Sequence, residues 1–282
     1  MTGGLTPSEY AMISNDPSTP AWRNPVKQLL AAGRPAVGAV ISTNSVEVAA
    51  HTASLGFDFL WFELEHSPIT LESLRHIVLA TRGLKAIPIA RPPVNELWQA
   101  KRVLDAGALG VIFPFTSTPE LARQAVAACR YPPLGLRGSG ASLAQLRWPA
   151  PEGYYDFADR EVLVIAMIED AHGVENIDAI AATPGLDVLF IGPSDLSFSL
   201  GLRGQENHPR LRHAIARIVA AGKRHGKVLG RPALTRSDLT RFTRQGFQFF
   251  MTRTELELLA AGARELLGPR FTSPVGSRQA GP

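Results

Sequence analysis

The sequence predicts an α/β fold, a single-domain (β/α)8 TIM barrel with a flexible arm at each end. Three observations carry that expectation. Short, continuously apolar β-like runs alternate with amphipathic helical patterns, as in a parallel sheet covered by helices. Eight such units fit in about 250 residues, a usual size for this barrel. The runner-up, an open doubly wound sheet, usually has fewer units and a glycine-rich first turn.

In chain order, the run at 37–42 (VGAVIS) precedes a helical pattern at 45–55, and 58–64 (DFLWFEL) precedes 70–82. The third unit pairs 86–90 (AIPIA) with 96–106, and the fourth pairs 110–115 (GVIFPF) with 118–129. A long irregular segment, 131–160, separates these from 162–168 (VLVIAMI) and its helix at 173–182. The last three units are 186–191 (LDVLFI) with 208–225, 227–230 (KVLG) with 236–244, and 247–252 (FQFFMT) with 254–267. "GLRGSG" at 135–140 superficially resembles a phosphate loop but lies in no βαβ unit, and reads as a mobile loop. Residues 1–22 and 269–282, rich in small residues and proline, read as the two flexible arms, and 23–268 as the barrel.

Composition narrows the function classes. Hydrophobic residues make up 45% of the 282, enough for a sizeable core. No apolar stretch approaches the ~20 residues that span a bilayer, and the N-terminus has neither the basic nor the continuous apolar region of a secretory signal. The single cysteine, Cys129, cannot form an internal disulfide, and no Cys/His metal spacing occurs. A reducing cytoplasm is the expected setting. The net charge of +4 is carried by scattered residues, without the concentrated basic footprint that nucleic acid demands.

Barrel active sites lie at the C-terminal ends of the strands, so the question is which strands end in chemistry. The second ends in "ELEHSP", with Glu63, Glu65 and His66. The third ends in Arg91, the fifth in Glu169 and Asp170, and Asp195 follows the sixth. Each has an ordinary reading: His66 as a solvated residue before a helix, Asp195 as a helix cap, Arg91 as the partner of a loop carboxylate. Glu169 is harder to read that way, since a charge after so apolar a strand needs a partner or a metal. Two carboxylates from neighbouring strands suit a hard divalent cation such as Mg2+ or Mn2+. The five lysines, Lys27, Lys85, Lys101, Lys223 and Lys227, fall at strand starts, in helical patterns or near the N-terminus. None is placed for a Schiff base, so carbonyl chemistry at this mouth would use a metal as its electron sink.

The set "FDFLWFELEHSP", "IARPPVNE", "LDAGALGVIFP", "YPPLGLRGSG", "MIEDAHGVENI" and "DVLFIGPSDLSFSLG" resembles the HpcH/HpaI aldolases, in order and with matching spacing from about Pro25 to Leu267. The resemblance implies a barrel enzyme that splits a 4-hydroxy-2-oxo acid into pyruvate and an aldehyde with a divalent ion, Mg2+, Mn2+ or Co2+. It implies Glu169 and Asp195 as metal ligands, Arg91 as the group stabilising the enolate oxygen, His66 as the base and Asp105 as an acid polarising that histidine. The backbone around Gly192 and Ser194 would hold the pyruvate carboxylate. It also implies a homo-oligomer, commonly a hexamer that exchanges its final helix. Two departures stand out: Glu63-Leu64-Glu65-His66 where the family often has Asp-Gly-Glu-His, and Met167 where it commonly has Gln. Met167 keeps open an oxaloacetate decarboxylase or an enolate-trapping synthase on the same site. A CoA-thioester lyase or a non-catalytic metabolite-binding barrel are more distant alternatives.

Overall fold

The structure, a computed structural model, describes residues 22–148, 150 and 153–272. Most of both expected flexible arms, 1–21 and 273–282, therefore lies outside the described residues. The strands are β1 (Ala36–Ile41), β2 (Phe59–Glu63), β3 (Ile87–Arg91), β4 (Gly110–Phe113), β5 (Leu163–Ile168), β6 (Val188–Ile191), β7 (Val228–Pro232) and β8 (Phe249–Thr254). All pair in parallel with their neighbours and close into one barrel, β8 returning to β1.

The helices are α1 (Pro25–Ala31), α2 (Val46–Ser54), α3 (Leu71–Ala80), α4 (Leu97–Asp105), α5 (Pro119–Ala128), α6 (Ser142–Arg147), α7 (Tyr154–Glu161), α8 (Ala171–Glu175), α9 (Ile177–Ala181), α10 (Pro193–Ser199), α11 (Pro209–Arg224), α12 (Arg236–Arg244) and α13 (Glu255–Leu267). Among the described residues, no helix is long and apolar enough to cross a membrane.

Strand alternation fills the barrel in layers, because every second residue faces inward. Low in the lumen, the Phe59 and Phe249 rings stack with centroids 4.4 Å apart. Trp61 and Phe190 meet above them at 5.0 Å. The next inward positions are Glu63 on β2 and Arg91 on β3, so the apolar column ends in charge at the mouth. Glycines make room for the rings. A Cβ on Gly38 would lie 2.1 Å from the Phe59 ring, and one on Gly230 would lie 2.8 Å from Phe190. Since Phe59 is pinned by its stack on Phe249, Gly38→Ala is expected to destabilise the fold by about 3 kcal/mol or more, read as a shifted urea midpoint.

The structure departs from the expected elements in four places. Segment 131–160 is irregular over 131–141 but then holds α6 and α7, whose N-caps, Ala141 and Gly153, offer no side-chain cap that could mark a start. "GLRGSG" is anchored at Gly135 and Arg137, while Leu136, Gly138, Ser139 and Gly140 are exposed. A Cβ on Gly135 would lie 2.5 Å from the carbonyl oxygens of Ala127 and Arg130, and the Arg137 side chain is buried. The expected helix at 173–182 is two short helices that meet at Asn176. α1, capped by the Asn24 side chain with Pro25 in its first turn, precedes β1.

Candidate active site

The β2–β3 register sets Glu63 directly opposite Arg91 at the mouth. Glu63 organises everything around it. Its carboxylate accepts hydrogen bonds from Trp61 Nε1 at 3.2 Å, Glu65 N at 2.9 Å, His66 N at 3.1 Å and Arg91 Nε at 2.8 Å. Arg91 Nη2 pairs with the same carboxylate. One side chain thus fixes both the guanidinium and the backbone of the turn that carries the histidine.

Arg91 Nη1 lies 2.9 Å from Glu65 Oε2, an ion pair without hydrogen-bond alignment, and 3.6 Å from Met167 Sδ. The Trp61 ring also lies beneath the guanidinium, 5.7 Å from it. Burial raises the Glu65 carboxyl above its ordinary value, against the pull of Arg91 and His66. His66 is largely solvent-facing, with Nε2 3.6 Å from Glu65 Oε2.

Glu169 follows the last residue of β5, beside Gly192, because Ile168 and Ile191 are paired in register. Glu169 is buried, and its Oε1 accepts the Phe115 N–H at 2.8 Å. Its Oε2 faces Gly192, where a Cβ would approach to 2.8 Å and the Met167 methyl to 3.1 Å. Burial pushes the Glu169 carboxyl up to about 7, against the Phe115 amide and Arg91, while the like charges of Glu65 and Asp195 add to the rise. Asp195 lies in the first turn of α10, exposed on the same rim. It is not the helix cap: the capping position is Gly192.

This donor set fits a hard cation. Glu169 keeps one oxygen toward the space that only a glycine leaves open, and a nearby carboxylate raises its need for a counter-charge. Two oxygen ligands suit an ion that keeps several waters or takes up substrate oxygens. Among the described residues, no group of three His, Cys, Asp or Glu side chains forms a ready-made metal cage, so substrate and water would complete the shell.

Of the residues expected at the site, Glu63, Glu65, His66, Arg91, Glu169, Gly192, Ser194 and Asp195 all stand at this mouth. Gly192 contributes space rather than a donor, since its N–H is committed to the Ile168 carbonyl at 3.1 Å. Asp105 stands elsewhere. It ends α4, and barrel helices run back toward the strand N-termini, so it lies at the opposite end from His66. There it accepts Arg137 Nη2 at 2.9 Å. Lys27, Lys85 and Lys227 sit at that end too, bonded to backbone carbonyls.

Two contributions were not foreseen from the sequence. Glu63 and Glu65 act as the positioning groups of Arg91, where the sequence offered only an unnamed loop carboxylate as its partner. The Phe115 amide has no signal in side-chain identity, because it depends on a left-handed backbone, φ 44°, at a non-glycine residue.

The model of the HpcH/HpaI aldolase/citrate lyase family matches residues 37–261. A hydroxypyruvate/pyruvate aldolase of Cupriavidus necator is 37% identical over 248 residues, covering 86% of this chain and 91% of that protein. A 5-keto-4-deoxy-D-glucarate aldolase of an Enterobacter species is 35% identical over 257 residues, covering 90% and 98%. The crystal structure of an HpcH/HpaI aldolase/citrate lyase family protein from Burkholderia cenocepacia superposes with a TM-score of 0.79. It is 34% identical and covers 86% of this chain and 98% of that one.

Proposed function

The chain belongs to the HpcH/HpaI aldolase/citrate lyase family, and we propose that its mouth cleaves a 4-hydroxy-2-oxo acid into pyruvate and an aldehyde. The observation that carries this reading is Arg91, locked by Glu63 and Glu65 on the rim that also bears Glu169 and Asp195. Pure binding does not need a guanidinium clamped at this precision beside paired carboxylates.

In the reaction, the C4 hydroxyl loses its proton, the C3–C4 bond breaks, and C4 leaves as the aldehyde carbonyl. The bonding pair passes to C3, giving the pyruvate enolate, which a proton then converts to pyruvate. Held by Glu169 and Asp195, a divalent ion (Mg2+, Mn2+ or Co2+) would supply Lewis acidity toward the 2-oxo acid. Arg91 offers preorganised positive charge to the oxygen on which negative charge develops. His66, on a turn fixed by Glu63, takes the hydroxyl proton directly or through a water. The backbone around Gly192 and Ser194, at the start of α10, receives the pyruvate carboxylate. Met167 against Arg91 supports a second activity, since decarboxylation of oxaloacetate needs the enolate-stabilising groups and no hydroxyl base.

The C-terminal helix α13 exposes Leu256, Leu259, Leu266 and Leu267, which supports association of several copies, a hexamer by the family pattern. An Asp105–His66 contact would then form between subunits. The single buried thiol, Cys129, suits a reducing cytoplasm.

The test is pyruvate release from a panel of 4-hydroxy-2-oxo acids and from oxaloacetate, with added Mg2+, Mn2+ or Co2+ and after EDTA. Release that needs the metal supports the reading, and the faster substrate class separates aldolase from decarboxylase. Silence across the whole panel overturns it.

A further inference from the structure

Trp61 fills the layer of the lumen just below the mouth, and its side chain is fully buried. Its partners in register, Val40 on β1 and Ile89 on β3, are apolar, and the Phe190 ring lies 5.0 Å away. Packing alone would be met here by another apolar side chain. A buried indole N–H, by contrast, costs stability unless it finds an acceptor. The acceptor it finds is Glu63 Oε2, 3.2 Å away on the next inward position of the same strand.

That oxygen is also the one that holds Arg91. Arg91 Nε donates to it at 2.8 Å and Nη2 pairs with it. The other oxygen, Oε1, takes the Glu65 and His66 amides at 2.9 and 3.1 Å. The turn therefore fixes one carboxylate oxygen, and the indole fixes the other from the lumen side. The guanidinium also lies over the indole ring, 5.7 Å from its centroid. Arg91 Nη1 has no comparable anchor: it meets Met167 Sδ, a weak acceptor, at 3.6 Å, and Glu65 without hydrogen-bond alignment. The aim of the guanidinium thus depends on where Glu63 Oε2 stands.

We propose that Trp61 is a positioning residue of the reaction: its indole N–H fixes Glu63 Oε2, and through it the angle at which Arg91 meets the enolate oxygen. This rests on the enolate reading above and adds to it a residue buried beneath the substrate site.

The test follows hydrogen exchange at C3 of pyruvate in D2O with Mg2+, which involves no aldehyde, beside the urea midpoint. It compares wild type with Trp61→Phe, Trp61→His and Phe190→Leu. Phenylalanine keeps an aromatic ring and loses the N–H. Histidine keeps an N–H at the equivalent ring position, Nε2, and loses the benzo ring. Phe190→Leu loosens the same layer from its far side. Trp61→Phe is expected to lower kcat by about tenfold or more with KM changed by less than about threefold, since Arg91 serves charge that develops in the transition state. Trp61→His is expected to recover most of that rate despite a urea midpoint below that of Trp61→Phe, and Phe190→Leu to keep the wild-type rate. A wild-type kcat in Trp61→Phe overturns the proposal. So do rates that follow the midpoints, with Trp61→His slower than Trp61→Phe, or Phe190→Leu as slow as Trp61→Phe. If Trp61→His does not fold, Trp61→Phe against Phe190→Leu decides on the same terms. In each of these outcomes exchange in the wild type leaves the enolate reading standing. No exchange in the wild type removes that reading and the role of Trp61 with it.

Discussion

Glu169→Gln lowers pyruvate release by roughly a thousandfold or more while leaving the barrel folded, the scale expected when electrostatic stabilisation of the developing charge is removed. The substitution keeps the shape of the side chain, and the Gln carbonyl can still accept the Phe115 amide now donated to Glu169 Oε1. What it removes is charge and one lone-pair face toward the Gly192 opening. Because burial already pushes the Glu169 carboxyl up to about 7, the fold favours its neutral form. An uncharged isostere therefore leaves the metal-free melting temperature unchanged or higher. Mn2+ binding, followed by calorimetry, falls with the activity. A variant that melts early would point to a structural role for Glu169, and one that binds Mn2+ as before would remove it from the ligand set.

Arg91→Lys loses both activity and stability. The guanidinium reaches Glu63 through Nε and Nη2, and Glu65 through Nη1, a fork that a single ammonium cannot reproduce. At least one buried carboxylate is left without its counter-charge. Breaking a buried ion pair by removing one partner costs about 3–5 kcal/mol, measurable as a lowered urea midpoint. The rate is expected to fall by roughly a hundredfold or more, since preorganised charge beside the oxo acid is displaced. The pairing also predicts an asymmetry: Glu63→Gln should mimic much of the Arg91 defect, because Glu63 also holds the amides of Glu65 and His66.

The barrel was legible because its signal is redundant. Eight apolar runs separated by helical patterns are hard to arrange otherwise, and each observed strand lies within about two residues of its expected place. The places of Glu169 and Arg91 at the mouth were legible for a related reason: a charge at the end of an apolar strand is expensive unless it has a partner. α6 and α7 were hidden because their caps are alanine and glycine, which carry no hydrogen-bonding side chain. Arg137 looked mobile by its glycine neighbours, yet its guanidinium is buried 4.6 Å from the Tyr131 ring and bonded to Asp105 and Tyr154. Asp105 is a case where one chain's sequence does not show the partner: within this barrel it lies far from His66, so their contact would need a second copy. Its position at the end of a helix already puts it at the far end of the barrel from the second strand's tip. The work done by Glu63 and by the Phe115 amide depends on register and on one backbone angle, neither of which residue identity records.

The proposed mechanism has Glu169, Asp195 and Arg91 together stabilise a pyruvate enolate with the help of a divalent ion. It is tested most directly by incubating the protein with pyruvate in D2O and following the methyl protons by NMR, with Mg2+ and again after EDTA. Exchange is expected with the ion present, with its loss after EDTA and none in Glu169→Gln under either condition. Exchange that persists after EDTA, or that survives in Glu169→Gln, would contradict it.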